Sequence, residues 1–270
     1  MPDVLALTDS YQESTRVLKY AGDLAARLGG CLTGLFVSEP IASVAMPVAY
    51  PEYFKSASDI AADAAQAGPK FCDWARSIGV KKVRWQVAEG FHQVALAVLA
   101  GWHDLYVLEA GGKTTWGRPG DLGSILMSCA VPCIVLPHGF DATTKLATVA
   151  VAWNRSGESM RALHDALPLL RKAGEIVLLK GDDAHRDSLV SWNPDIDPER
   201  YLAQHEISAT VRAFAVDGSV GASLLRESRN VGADLLVMGA YGHSRFNEWV
   251  LGGATQHVLA NLDLPVLLRH

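Results

Sequence analysis

The residues best suited to chemistry form a glycine-rich segment near the end of the chain, VMGAYGHSRFNEWVLGGATQHVL at 237–259. Gly239 and Gly242 flank two residues, and after nine more residues come Gly252, Gly253, Ala254 and Thr255. Glycine lets the backbone approach a ligand closely, and a helix N-terminus offers free N–H groups, so this spacing suits a phosphate site to which the Thr255 hydroxyl adds a donor. Turn formation and a helix start would explain the same glycines, and both interpretations stay open at this point.

Other chemically capable groups lack a recognisable template. His243, inside the glycine loop, could contact a phosphate or simply be a solvated loop residue. The acidic run Asp182, Asp183, His185 and Asp187 fits no metal-binding spacing and is interpreted as a solvated loop. No G-x-S-x-G nucleophile elbow is present. We therefore predict no catalytic residue and no metal site.

Composition excludes several classes of protein. The net charge of −5 argues against a nucleic-acid partner bound through a basic field, and the sequence has no apolar run long enough to span a membrane. The first residues carry acids where a signal peptide would carry bases, and four cysteines are too few for a disulfide framework. We expect a cytoplasmic protein with no nucleic-acid or membrane partner.

The chain repeats itself. Residues 4–29 align with 149–174 without a gap, and eight of these 26 positions are identical. Three later matches follow in the same order, at Gly90 and Gly218, Asp104 and Asp234, and Pro132 and Pro265. The repeat predicts two homologous domains, 1–142 and 145–270.

Each half alternates apolar strands with amphipathic helices, a pattern that gives a parallel sheet with right-handed crossovers and helices on both faces. One helix is predicted over about residues 58–78, and Ser10 with Glu13 is a candidate capping box for the first helix. The apolar final strands, Ile134–Leu136 and Val266–Leu268, are expected to pair with each other in a pseudo-twofold arrangement, since unpaired strand edges are a liability.

The glycine pattern and the repeat together resemble the universal stress proteins, and the resemblance covers nearly the whole chain. It implies a tandem of two five-stranded α/β sandwich domains of the Rossmann-like, adenine-nucleotide-binding kind. The resemblance also implies the nucleotide contacts, which would come from the residues after the first strand and around the glycine loop: Trp153, Asn154, Met238, Gly239, Gly242, His243, Gly252, Gly253, Ala254 and Thr255.

Two positions depart from that family pattern in the second half. Gly253 stands where Ser or Thr is usual, so a hydroxyl donor is lost while the N–H remains. Asn154 stands where the family has an acidic residue, a place that Asp9 holds in the first half. Both Asp9 and Asn154 are also good helix N-caps, so ligand contact and capping remain alternatives for Asn154.

The first half departs further. Glu109 occupies the first glycine position, where a carboxylate would repel a phosphate, and Pro119 with Gly120 falls where Gly252 and Gly253 fall. The standard site is therefore predicted only in the second half.

The resulting hypothesis is a cytoplasmic stress-response protein, an intramolecular pseudo-dimer that binds ATP or another adenine nucleotide, with or without Mg²⁺, in its second domain. It would act as a binding or signalling module, with the first domain as a structural or partner-binding copy for an unknown protein partner, and the chain could also form a homodimer. A slow ATP hydrolase and a nucleotide-free interaction module are the alternatives.

Overall fold

The computed structural model describes residues 2–11, 15–39, 56–111, 116, 119–141, 143–181, 197–241 and 253–270. Along the first half the elements are β1 (Asp3–Thr8), α1 (Arg16–Arg27), β2 (Cys31–Ser38), α2 (Ala57–Gln66), α3 (Gly68–Ser77), β3 (Lys82–Glu89), α4 (His92–Leu99), β4 (Leu105–Glu109), α5 (Pro119–Ser128) and β5 (Cys133–Leu136). Along the second half they are β6 (Thr148–Trp153), α6 (Gly157–Leu170), β7 (Glu175–Gly181), α7 (Pro198–Gln204), β8 (Thr210–Phe214), α8 (Val220–Asn230), β9 (Leu235–Gly239), α9 (Gly253–Ala260) and β10 (Val266–Arg269).

The chain divides into two compact units. The first consists of Met1–Leu108, Ser128–Val131 and Asp141–Thr143, and the second of Glu109–Met127, Pro132–Phe140 and Thr144–His270. The second unit thus takes the strand β5 from the first half of the sequence. A repeat in sequence and a compact unit in space have different boundaries in this chain.

Within the first unit the strand order is β3-β2-β1-β4, and every pair is parallel. Within the second unit the order is β5-β10-β9-β6-β7-β8, and every pair is parallel except β5 with β10. The predicted α/β fold class is therefore confirmed. The central strands are continuous apolar runs, as in VLAL at 4–7 and LLVM at 235–238, because helices and strands cover them on every side.

The last strands of the two halves pair with each other, as expected from the repeat. Val135 lies opposite Val266 and Ile134 opposite Leu267 in an antiparallel ladder. All four of these residues are fully buried. The pairing removes the free edge that β10 would otherwise present.

Two local predictions are wrong. The helix expected over 58–78 is two helices, because Gly68 and Pro69 follow Ala67, which closes α2 and opens α3. A proline near a helix start suits a new helix better than the interior of a long one.

The second error concerns helix caps. Thr15 caps α1 by accepting a hydrogen bond from the Leu18 N–H, and Ser156 caps α6 in the same way from Ser159. The candidate box at Ser10 and the caps proposed at Asp9 and Asn154 therefore do not form. Each cap lies several residues beyond the end of its strand, so the chain makes a longer turn before it enters the helix.

Candidate functional site

The predicted site lies at the carboxyl ends of β6 and β9, in the second unit. Val151 of β6 is level with Val237 of β9, so Trp153 and Gly239, two residues further on, close neighbouring strands at the same level. Ligands of open α/β sheets bind beyond this edge. Trp153 and Met238 are both 4% exposed, so the structure places Met238 in the core beneath the edge.

Gly239 is required by packing. A Cβ atom at this position would lie 2.6 Å from the Ser159 backbone nitrogen and 2.7 Å from two atoms of Glu158. The first turn of α6 therefore rests directly on the end of β9. The lack of a side chain at Gly239 is therefore explained by the close packing of α6 on β9, without any need for a ligand.

Gly253, the first residue of α9, is in the opposite situation. Among the described residues, a Cβ atom there would have no neighbour within 4 Å, and its φ is outside the left-handed range. The first N–H groups of a helix have no partner within the helix, so a helix start of this kind offers backbone donors and the positive end of the helix dipole to an anion.

Thr255 holds the loop after β9 against α9. Its hydroxyl oxygen accepts a hydrogen bond of 3.3 Å from the Tyr241 N–H, and Tyr241 has the left-handed φ of +57°. Burial raises the pKa of the Tyr241 phenol to about 12. Thr255 is itself only 3% exposed, so its oxygen stabilises the loop, and its hydroxyl proton is left as a donor for a ligand.

Asn154 sits on the exposed turn between β6 and α6. Its side-chain oxygen accepts a hydrogen bond of 3.1 Å from the Ser156 N–H, and Arg155 between them has a φ of +64°. The oxygen shapes this turn, and the amide NH₂ group is left to face solvent or a ligand.

A charged cluster borders the site on α6. The Arg161 guanidinium donates to the Glu158 carboxylate at 2.9 Å and to the backbone oxygen of His270 at 3.0 Å. Burial by itself would raise the pKa of Glu158, but its own backbone N–H, the Ser156 hydroxyl and Arg161 outweigh burial and lower it. The carboxylate at this edge is therefore ionised and paired, so Arg161 offsets the repulsion it would exert on a phosphate.

An open cleft of about 340 Å³ lies beside Trp153. The residues that line it come from β6, α6 and α7: Trp153, Met160, Asp197, Pro198, Arg200, Tyr201 and Gln204. The Tyr201 ring stacks on His164 with ring centroids 4.7 Å apart, which fixes one wall. Four of the lining residues are apolar or aromatic, whereas Asp197, Arg200 and Gln204 are charged or polar, so the cleft offers both kinds of contact.

At the corresponding edge in the first half of the sequence, a glutamate is hydrogen-bonded to a histidine. Glu109 closes β4, and its carboxylate lies 2.8 Å from His138 Nδ1 and 3.3 Å from the Gly139 N–H. The carboxylate is thus engaged by the turn after β5.

Several predicted residues lie outside the described part of the chain, namely Gly242, His243, Gly252 and the acidic run from Asp182 to Asp187. Among the described residues, no group of three or more His, Cys, Asp or Glu side chains could hold a metal ion.

Sequence reasoning missed Arg161, Met160 and Tyr201. They carry no motif, because helical spacing alone places Met160 and Arg161 near the strand ends, and Tyr201 belongs to a separate short helix. The only signal was the position of Met160 and Arg161 in the first two turns after a strand end.

Comparison with known proteins places this site in a family context. Residues 146–270 match the model of the universal stress protein family. A universal stress protein from Synechocystis is 26% identical over 99% of both chains. The crystal structure of a universal stress protein from Archaeoglobus fulgidus is similar with a TM-score of 0.71 at 18% identity, and covers 99% of this chain and 96% of its own. A protein of unknown function from Pseudomonas aeruginosa is similar with a TM-score of 0.62 at 15% identity, over 100% of this chain and 92% of its own. Among the described helices, none is long and apolar enough to cross a membrane.

Proposed function

We propose that residues 146–270, which belong to the universal stress protein family, bind an adenine nucleotide such as ATP with its phosphates at the first turn of α9. The observation that supports this most directly is the open space at Gly253. A glycine without neighbours at a helix start leaves the backbone donors accessible to a phosphate, whereas a structural glycine such as Gly239 is enclosed.

The base would occupy the cleft beside Trp153. Met160 and Tyr201 give it apolar and aromatic walls, and Gln204 supplies a polar group at the rim. Aromatic and apolar walls suit a flat heterocycle, since such rings stack and bury large areas at little entropic cost. Trp153 and Gly239 are level on adjacent strands, so the cleft and the segment that leads from β9 to α9 start at the same edge of the sheet.

The biological role proposed is that of a stress-response module whose state depends on the bound nucleotide. Binding without turnover is the simplest use of a site made of backbone donors and apolar walls. Incubation of the protein with ATP and Mg²⁺, followed by measurement of released phosphate, tests this directly. Sustained phosphate release would support the hydrolase alternative instead.

The decisive binding experiment is calorimetry on the full chain with ATP, ADP and AMP, each with Mg²⁺ and with a chelator. Gly253→Val fills the open space and should weaken binding about tenfold or more, since a bulky side chain blocks access to the helix N-terminus. Gly101→Val is the matched control, because a Cβ atom at Gly101 also has no neighbour within 4 Å. Unchanged affinity in Gly253→Val, or no binding by the unaltered protein, would refute the proposal.

The cleft is tested separately with Tyr201→Ala and Tyr201→Phe. We expect Tyr201→Ala to weaken ATP binding and Tyr201→Phe to keep it, since the ring and not the hydroxyl forms the wall. Equal ATP affinities for the two variants would show that the base does not bind in this cleft. The phosphate position would still be tested independently by Gly253→Val.

A further inference from the structure

An exposed apolar stripe runs along α4 and the single 3₁₀ turn that follows it at 100–102. We define the α4 stripe as Phe91, Val94, Val98 and Trp102. These residues are 62%, 61%, 62% and 82% exposed, in chain order. Val94 and Val98 are four positions apart on α4 and share one face of the helix. Phe91 is the N-cap residue that precedes α4, and Trp102 ends the 3₁₀ turn that follows it.

The whole segment lacks formal charge. No Asp, Glu, Lys or Arg stands between Glu89 and Asp104. The opposite face of α4 packs inward through Leu96, which is completely buried. Apart from Gln93, the exposed side chains of α4 are apolar, and an apolar helix face is usually covered, so the stripe calls for a partner.

The corresponding helix in the second half of the chain lacks such a stripe. Alignment of Gly90 with Gly218 puts Ser219, Ala222, Arg226 and Asn230 at the four positions. Helix α8 is therefore mostly polar where α4 is apolar. The α4 stripe is a property of the first half alone and not a requirement of the fold.

We propose that the α4 stripe is a homodimer interface in which two copies of this chain pack their α4 helices antiparallel. The order of sizes along the stripe is large, small, small, large. An antiparallel twofold pairing centred near Leu96 sets Phe91 of one copy beside Trp102 of the other, and Val94 beside Val98. The stripe thus complements itself, which is the condition for an isologous contact.

The area of the stripe agrees with this occupant. Two exposed aromatic side chains and two valines amount to about 500 Å² of apolar surface. Two copies would bury about 1,000 Å² together, the area at which a specific interface begins. We therefore expect a weak and reversible dimer.

Charge argues against other kinds of partner. A helix that lies on an anionic membrane carries Lys and Arg on its polar face, and a nucleic-acid contact needs basic residues, but the segment between Glu89 and Asp104 has none. An uncharged apolar stripe is best covered by another uncharged apolar surface, and the α4 stripe of a second copy is such a surface.

Sedimentation of the full chain over a wide range of micromolar concentrations tests the interface. The unaltered protein should dimerise, and Val94→Glu and Val98→Lys should each raise the dissociation constant about tenfold or more, because each buries a lone charge. Val220→Glu on α8, where the valine is 42% exposed, is the matched control and should dimerise normally. Circular dichroism checks that each variant is folded. We expect all of them to fold, because the substituted side chains are exposed to solvent.

Mixing the two variants tests the antiparallel register. In the antiparallel register, the new carboxylate at position 94 of one variant would face the new ammonium group at position 98 of the other. The mixture of Val94→Glu and Val98→Lys should therefore show a heterodimer in native mass spectrometry, whereas each variant by itself should remain monomeric. A monomer at every concentration, a dimer that persists in both stripe variants, or a mixture without heterodimer would overturn the proposal. So would binding of the monomer to phosphatidylglycerol vesicles through the stripe. None of these results depends on whether nucleotide binds.

Discussion

Two glycines of one motif should respond in opposite ways to the same substitution. In Gly239→Ala, the new methyl group would lie 2.6 Å from the Ser159 nitrogen and 2.7 Å from two atoms of Glu158, where ordinary contact begins at 3.4 Å. To restore ordinary contact distances, the first turn of α6 would have to move by most of the gap between 2.6 and 3.4 Å. Two of the three contacted atoms, Ser159 N and Glu158 C, are backbone atoms and cannot rotate away. In Gly253→Ala, the methyl group meets no described residue within 4 Å.

The expected magnitudes follow from these contacts. Overpacking against a backbone that cannot turn aside costs about 2 kcal/mol, which for a unit of this size lowers the melting temperature by about 4–8 °C. Replacing an unstrained helical glycine with alanine stabilises by about 0.4–1 kcal/mol, so the Gly253→Ala protein should melt at the same temperature or slightly higher.

Thermal unfolding followed by circular dichroism, with and without ATP, measures both effects. The stability of Gly239→Ala should fall even without nucleotide, which distinguishes a packing role from a ligand role. Equal melting temperatures for Gly239→Ala and the unaltered protein would show that α6 does not rest on β9 as described. A loss of stability in Gly253→Ala would show that this position is enclosed.

Three further outcomes are expected. Glu109→Gly in a Gly253→Val background should not produce ATP binding in calorimetry, because Pro119 still lacks an N–H donor where Gly252 has one; micromolar binding would contradict this. Thr255→Val should weaken ATP binding and speed hydrogen exchange at the Tyr241 amide, since that amide loses its acceptor; unchanged exchange would refute the role of the hydroxyl. Burial lowers the pKa of His92 in the folded state, even though its contact with Glu39 opposes this. The unfolded chain therefore takes up the proton first as pH falls below about 6.5, and the free energy of unfolding should decline there. In urea titrations at several pH values, His92→Gln should reduce this decline in the free energy of unfolding. An unchanged pH profile would show that groups other than His92 cause the decline.

The sheet could be predicted from sequence because its strands are buried on both faces and appear as short apolar runs. The repeat then supplied the pairing of β5 with β10, since two apolar final strands with free edges favour each other. These signals are local or symmetric, and each depends on the chain's own pattern of apolar residues.

The helix starts were harder to predict because several cap-forming residues stand close together. Asp9, Ser10 and Thr15 all suit an N-cap, and the choice of Thr15 depends on how far the chain must travel from the strand end to the helix. Tertiary packing sets the length of this connection, so the identity of the cap-forming residues alone does not predict which of them begins the helix.

The glycine motif shows the same limit. Gly239 and Gly253 look equivalent in the sequence, but neighbours from α6 enclose one and leave the other open. Contacts between elements far apart in the chain decide which glycine is structural. The cleft beside Trp153 was invisible for the same reason, since its walls come from three separate elements.

The pairing of β5 with β10 has a consequence for how the chain can be divided. A fragment that starts at residue 145 contains the complete second repeat but lacks β5, so β10 would expose its N–H and C=O groups to water. Such an edge recruits another strand, and the nearest supply is β10 of a second fragment. Separate synthesis of the second repeat would thus yield pairs of fragments joined at their β10 edges. The sharing runs in one direction, since the second compact unit takes β5 from the first repeat whereas the first unit contains no residue beyond Thr143.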